Sequence, residues 1–153
     1  MDILIQRTDP RSPVAEPLLK AHLEEMVAIT PPGSVYSLDA DGLAQPGNVF
    51  WMASFAGAPV GSICLAPYGA ADGEIKSMHV LAVHRGKGIA QHLLYALEEE
   101  ASSRGMKTLW LETGDTPGFQ AAQQFYLGQG YVPCPRYGQY VNDPNSYCMK
   151  KAL

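Results

Sequence analysis

Hydrophobic residues change their period several times along this chain, and each change predicts an element. Ile3, Leu4 and Ile5 form a short apolar run that reads as a first strand. Leu19, Leu23, Met26 and Val27 then fall on one helical face. Ser12-Pro13 supplies a start for that helix, with serine as N-cap and proline at the first helical position, and Thr30-Pro31-Pro32-Gly33 supplies its stop. Residues 30–48 read as loop, with one short helical turn around 37–43. Residues 49–71 carry no charge over a length that could cross a membrane. However, Gly57, Pro59, Gly61, Pro67 and Gly69 interrupt the run, and Gly57-Ala58-Pro59 makes a turn near its middle. Two short strands, 49–55 and 60–67, therefore fit better than one spanning helix.

The second half alternates strand and helix patterns. "EIKSMHVL" (74–81) alternates as a strand. In "IAQHLLYALEEEASSRG", Ile89, Leu93 and Leu97 form a stripe that Ala90, Leu94 and Ala101 widen, and Gly105 stands where a C′ glycine belongs. "MKTLWLET" reads as a strand and "PGFQAAQQFYLGQG" as a helix ending at Gly130. "YVP" and "NSYCMKKAL" read as two closing strands. The predicted order is β α (α) β β β α β α β β, without repeat, linker or low-complexity segment. It implies a single α+β domain over residues 1–153, whose mixed sheet is antiparallel around the hairpin, parallel in part of the second half, and covered by helices on both faces.

Composition narrows the function classes. A chain of 153 residues with 46% apolar and 17% charged content is an ordinary globular one. The net charge of −4 and the absence of any Lys/Arg block argue against nucleic acid as partner. "MDILIQRTDP" lacks the features of a secretory leader, so a cytoplasmic protein with no membrane partner is expected. Cys64, Cys134 and Cys148 are odd in number and show neither a CxxC pair nor metal spacing, which predicts reduced, mostly buried thiols and no metal site.

"HRGKGIA" (84–90) is the stretch with the clearest chemistry. A strand runs into a glycine-rich turn that opens a helix. The first N–H groups of a helix lack internal partners and carry the positive end of its dipole. Gly86 and Gly88 let a bulky anion approach the main chain, and Arg85 and Lys87 place cations nearby. Taken alone, the turn is equally compatible with an ordinary surface connection. Two rival phosphate motifs fail. GxxxxGK[ST] is absent because Gly88 follows Lys87, and in GxGxxG the third glycine would fall on Gln91.

Two segments resemble the GNAT N-acetyltransferase family. Arg85-Gly86-Lys87-Gly88-Ile89-Ala90 matches its Arg/Gln-x-x-Gly-x-Gly/Ala pattern, and "AAQQFYLGQGYVP" (121–133) resembles its Ala-x-x-Leu/Phe-Tyr-x-x-x-Gly-Phe/Tyr segment. The order of elements fits from residue 1 to 153. Within the family the chain looks most like a bacterial subgroup carrying "GEIKSMH", "LETG" and "DPNS", found here at 73–79, 111–114 and 143–146. The resemblance implies a splayed parallel strand pair in a mostly antiparallel sheet, and direct acetyl transfer from acetyl-CoA to an amine. It implies that Arg85, Gly86, Lys87, Gly88, Ile89 and Ala90 hold the pyrophosphate. It also implies that Met78, His79 and Val80 pair with the pantetheine arm as a strand edge would. Dimers are frequent in the family. In one place the chain departs from the pattern: Phe119 stands where many members have Asn.

Acyl transfer to an amine needs a base, stabilisation of the thioester oxygen and a proton for the departing thiolate. Tyr126, matching the family tyrosine, is the candidate acid, against the bland reading of a core tyrosine. Glu74 is the candidate base, directly or through water, against an exposed strand-end carboxylate paired with Lys76. Glu112 is the alternative base. His79 lies on the opposite strand face, its backbone mattering more than its ring, while His22 and His92 read as ordinary helix residues. Residues 31–36 and 136–145 should wall the acceptor site, where Tyr36, Arg136, Tyr137 and Tyr140 could meet an aromatic or carboxylate-bearing molecule, or simply pack the loops. A small-molecule or amino-acid N-acetyltransferase is the leading expectation. Acetylation of protein lysines or N-termini, and a non-catalytic acyl-CoA sensor, are the alternatives.

Overall fold

The computed structural model describes residues 2–153. Chain order runs β1 (Ile3–Arg7), α1 (Glu16–Ile29), α2 (Ala40–Leu43), β2 (Val49–Phe55), β3 (Ala58–Tyr68), β4 (Asp72–Val80) and α3 (Ile89–Ser103). It continues with β5 (Thr108–Gly114), α4 (Gln120–Gly128), β6 (Val132–Cys134) and β7 (Ser146–Ala152). All seven strands form one sheet in the order β1-β2-β3-β4-β5-β7-β6. Every neighbouring pair is antiparallel except β4 and β5. That parallel pair is in register only at Gly73–Leu109 and Glu74–Trp110. Beyond Glu74 the two strands part, as expected of the α+β architecture with a splayed pair.

Helices cover both faces. The α3 stripe of Ile89, Leu93, Leu94, Leu97 and Ala101 is buried against Trp51, Ala53, Ile63 and Leu65. Leu18 and Leu43, from α1 and α2, pack on Phe50, Met52 and Cys64 across the sheet. The charge-free stretch is the β2–β3 hairpin, and among the described residues no helix is long and apolar enough to cross a membrane. Two glycines end helices as expected. Gly105 (φ +74°) follows α3, with Met106 N–H donating to Ala101 O at 3.0 Å. Gly130 (φ +92°) follows α4, with Tyr131 N–H donating to Tyr126 O at 3.0 Å. This six-to-one bond across a left-handed glycine seals a helix end.

The start of α1 differs from the expectation. Ser12-Pro13 lies in a preceding turn, and the helix begins at Glu16 with Pro17 in its first turn. Its buried face is shifted by one residue: Leu18 and His22 are buried, while Leu23 and Val27 are 48% and 60% exposed. An isolated amphipathic stripe has no partner to choose between two adjacent faces. Here the sheet face around Cys64 makes that choice.

Candidate active site

The splay of β4 and β5 opens a cleft in the middle of the sheet. Two cavities meet there. The larger, of about 530 Å³, lies between β4, the turn at 84–88 and the start of α4. The smaller, of about 140 Å³, lies between the splayed strands, α1 and residues 30–37. Tyr126, Met78 and Phe119 line both, so they mark the junction.

Met78, His79, Val80, Arg85, Gly86, Gly88, Ile89 and Ala90 all line the larger cavity, while Lys87 does not. Gly86 and Gly88 both have φ +80°, and an added Cβ at Gly86 would project into open space. Among the described residues, the N–H groups of Gly86, Lys87 and Gly88 make no main-chain hydrogen bond. They adjoin the free N–H groups of the first turn of α3. This set of unpaired donors is a nest of the kind that holds phosphate oxygens.

The two cations sit differently from the expectation. Arg85 donates to both carboxylate oxygens of Glu25, at 2.8 and 2.6 Å, and through Nε to Val80 O at 3.0 Å. Lys87 lies over the Phe55 ring, 4.7 Å from its centre, with its Nζ 3.2 Å from His84 Nδ1. The charge on Arg85 is already matched within the protein.

A bulge in β4 shapes the smaller cavity. The register with β3 shifts between Ser62 and Cys64, and Ser77 takes φ +54°. Strand alternation ends there: Ile75, Lys76, Ser77 and Met78 all line the smaller cavity. Bulges re-aim side chains beside active sites. This one is invisible in the alternating sequence pattern, which placed Glu74, Lys76, Met78 and Val80 on one face.

The carboxylates divide by position. Glu74 sits at the last paired rung of β4 and β5 and does not line the cavity. Its Oε2 accepts from Tyr137 at 2.6 Å and Tyr140 at 3.1 Å, inside an aromatic cluster with Tyr68 and Trp110. Glu112 lies two residues past the rung at Trp110, where the strands have parted, and lines the cavity. Burial pushes its carboxyl up to about 7, against the opposing effects of Ser146, whose hydroxyl donates to Oε2 at 2.7 Å, and of Lys76. Ser146→Ala removes a bond that favours the ionised form. A titration of Glu112, read from the pH profile or by NMR, should then move upward from about 7 by roughly one unit.

Tyr126 is 4% exposed, and among the described residues its hydroxyl makes no hydrogen bond within the protein. Burial raises its phenol further above the ordinary value, so it stays protonated. Tyr131 packs on its ring at 5.4 Å and is itself fixed by Glu98 at 2.8 Å. Tyr36 and Tyr140 line the smaller cavity and meet edge to face at 4.8 Å. Tyr36 donates to Asp143 Oδ2 at 2.6 Å, and Ser34 donates to Oδ1 at 3.1 Å. Asp143 thus staples the two loops that wall the site. Arg136 is exposed, and neither it nor Tyr137 lines this cavity.

The sequence pattern missed one residue here. His22 is buried, lines the cavity, and lies 5.0 Å from the His79 ring. Burial pushes its imidazole down to about 4, with a smaller effect from His79. Its spacing of four from Leu18 was the available signal.

The chain belongs to the Acetyltransferase (GNAT) family, which it matches over residues 15–131. It is 37% identical over 136 residues to the uncharacterised N-acetyltransferase YsnE of Bacillus subtilis, covering 89% of this chain and 90% of that one. It is 32% identical over 154 residues to an IAA acetyltransferase of Azospirillum brasilense, covering 99% of each. A solved structure from Klebsiella pneumoniae, named for acyl-CoA N-acyltransferase activity, superposes with a TM-score of 0.80 at 26% identity, over 99% of this chain and 97% of that one. A GNAT acetyltransferase from Elizabethkingia anophelis, solved with acetyl-CoA bound, shares the fold at 19% identity and a TM-score of 0.70, over 99% of this chain and 98% of that one.

Proposed function

We propose that this N-acetyltransferase moves acetyl from acetyl-CoA directly to the amine of a small molecule, in the cytoplasm, with the whole chain acting as one catalytic domain. The observation that carries this is the junction at Tyr126: one cavity suits a pyrophosphate and pantetheine, the other a small acceptor, and a protonated phenol stands between them.

The unpaired N–H groups of residues 86–88 and the first turn of α3 hold the diphosphate. The open edge of β4 at Met78, His79 and Val80 receives the amide-bearing arm. When bound, acetyl-CoA supplies an acetyl thioester, whose C–S bond breaks as the C–N bond forms. Glu112 takes the proton from the incoming amine, a role supported by its raised titration and by its place in the cleft, which Glu74 does not line. Glu74 instead orders Tyr137 and Tyr140. Tyr126 gives its proton to the departing sulfur.

The test is thiol release from acetyl-CoA across a panel of amines. Tyr126→Phe should lower kcat by about 100-fold with little change in acetyl-CoA affinity. Binding of acetyl-CoA with no turnover on any amine would instead make the protein an acyl-CoA sensor.

A further inference from the structure

We infer that the acceptor is a small amino carboxylate of amino-acid size, its carboxylate held by Lys76 and its nitrogen facing Glu112. The inference rests on the transfer reading above and narrows it to one substrate class.

The smaller cavity is lined by opposite charges on opposite walls: Lys76 on β4 and Glu112 on β5. Lys76 is half-buried, and none of the ion pairs among the described residues includes it. One of its three N–H groups donates to Tyr140 Oη at 2.8 Å. Glu74 is reached only through that hydroxyl, which donates on to it at 3.1 Å. The relay fixes the ammonium in place without giving it a contacting counter-ion. Two N–H groups remain for a ligand, and a partly desolvated cation is costly until an anion meets it.

A second polar group in this cavity also goes unanswered by the chain. His22 is 8% exposed, and among the described residues its Nδ1 finds no hydrogen-bond partner. Size sets a further limit. The cavity of about 140 Å³ is close to the roughly 150 Å³ that encloses a benzene ring. It admits about six to eight non-hydrogen atoms, the range from a small amino acid to valine. A diamine or polyamine would place a second cation against Lys76.

The experiment compares amines in pairs that differ only by a carboxylate: glycine with methylamine, alanine with ethylamine, and valine with isobutylamine. The carboxylate member of each pair should have the higher kcat/KM by at least tenfold, at equal free-amine concentration. Lys76→Met and Lys76→Gln should erase that preference, and Lys76→Arg should restore part of it. Calorimetry on the CoA complex gives a readout independent of turnover: N-acetylglycine should bind wild type at least tenfold more tightly than Lys76→Met. A normal thermal shift with CoA checks that each variant is folded. Equal rates within pairs, with Lys76→Met lowering both members alike, would overturn the inference and leave acetyl transfer standing. No turnover on any member of any pair, while another amine of the panel releases thiol, would likewise overturn the inference alone; no thiol release on any amine of the panel, with CoA still binding, would overturn both.

Discussion

Gly88→Asp is expected to abolish coenzyme A binding. Gly88 has φ +80°, a conformation that costs a residue with a side chain about 1–2 kcal/mol. Its missing Cβ has no steric neighbour closer than the His92 ring at 4.0 Å, so volume is a minor part of the effect. The larger part is a carboxylate placed among the donors that would meet a diphosphate. Like charges at contact in a partly desolvated site cost several kcal/mol, equivalent to a Kd increase of about 1,000-fold. The measurement is the rise in Tm on adding CoA, with Gly88→Ala separating backbone strain from charge. A normal rise in the Asp variant would mean that the diphosphate lies elsewhere.

Glu112→Gln should lower kcat/KM by about 1,000-fold and remove the acid limb of the pH profile. In the wild type that limb should fall below a pH of about 7, because the carboxyl must be ionised to accept a proton and burial holds it near 7. Stability should move in the opposite sense. The native state binds this proton more tightly than the unfolded chain, whose carboxyl titrates near 4.5. Wild-type stability therefore falls as pH rises from about 4.5 through about 7. The Gln variant escapes that loss and should be more stable at pH 8 by about 2 kcal/mol, allowing for solvent around the half-buried group. Urea unfolding at pH 5 and pH 8 measures this. An unchanged pH profile in Glu112→Gln would return the role of base to Glu74 or to water.

Features written in consecutive residues were legible in the sequence. The β2–β3 hairpin, the α3 stripe, the glycines closing α3 and α4, and the glycine turn that opens α3 all depend on local periodicity or on φ values that only glycine adopts readily. Features that depend on a distant partner were not legible. Nothing near Arg85 announces that Glu25, 60 positions away, will neutralise it. The face of α1 was misplaced by one residue because the sheet selects it. Glu74 seemed better placed than Glu112 because strand alternation alone cannot tell where β4 and β5 part company or where Ser77 adds its bulge. The subgroup motifs carried more than their spacing revealed. Asp143 and Asn145 tie the loop at 34–36 to the site, and Ser146 holds Glu112.

A sheet that separates at its centre has two rims in its interior, where a closed sheet has none. Unpaired rims invite foreign chains and seed aggregation. Here they are roofed by α1 on one side and α4 on the other, and Met26, Phe119 and Tyr126 stand where the two cavities meet. A foreign strand that approaches from either face meets the packed side chains of these helices before it meets a free main-chain group. The cover that lets such an open-centred sheet stay solitary is the same pair of helices that lines its cavities.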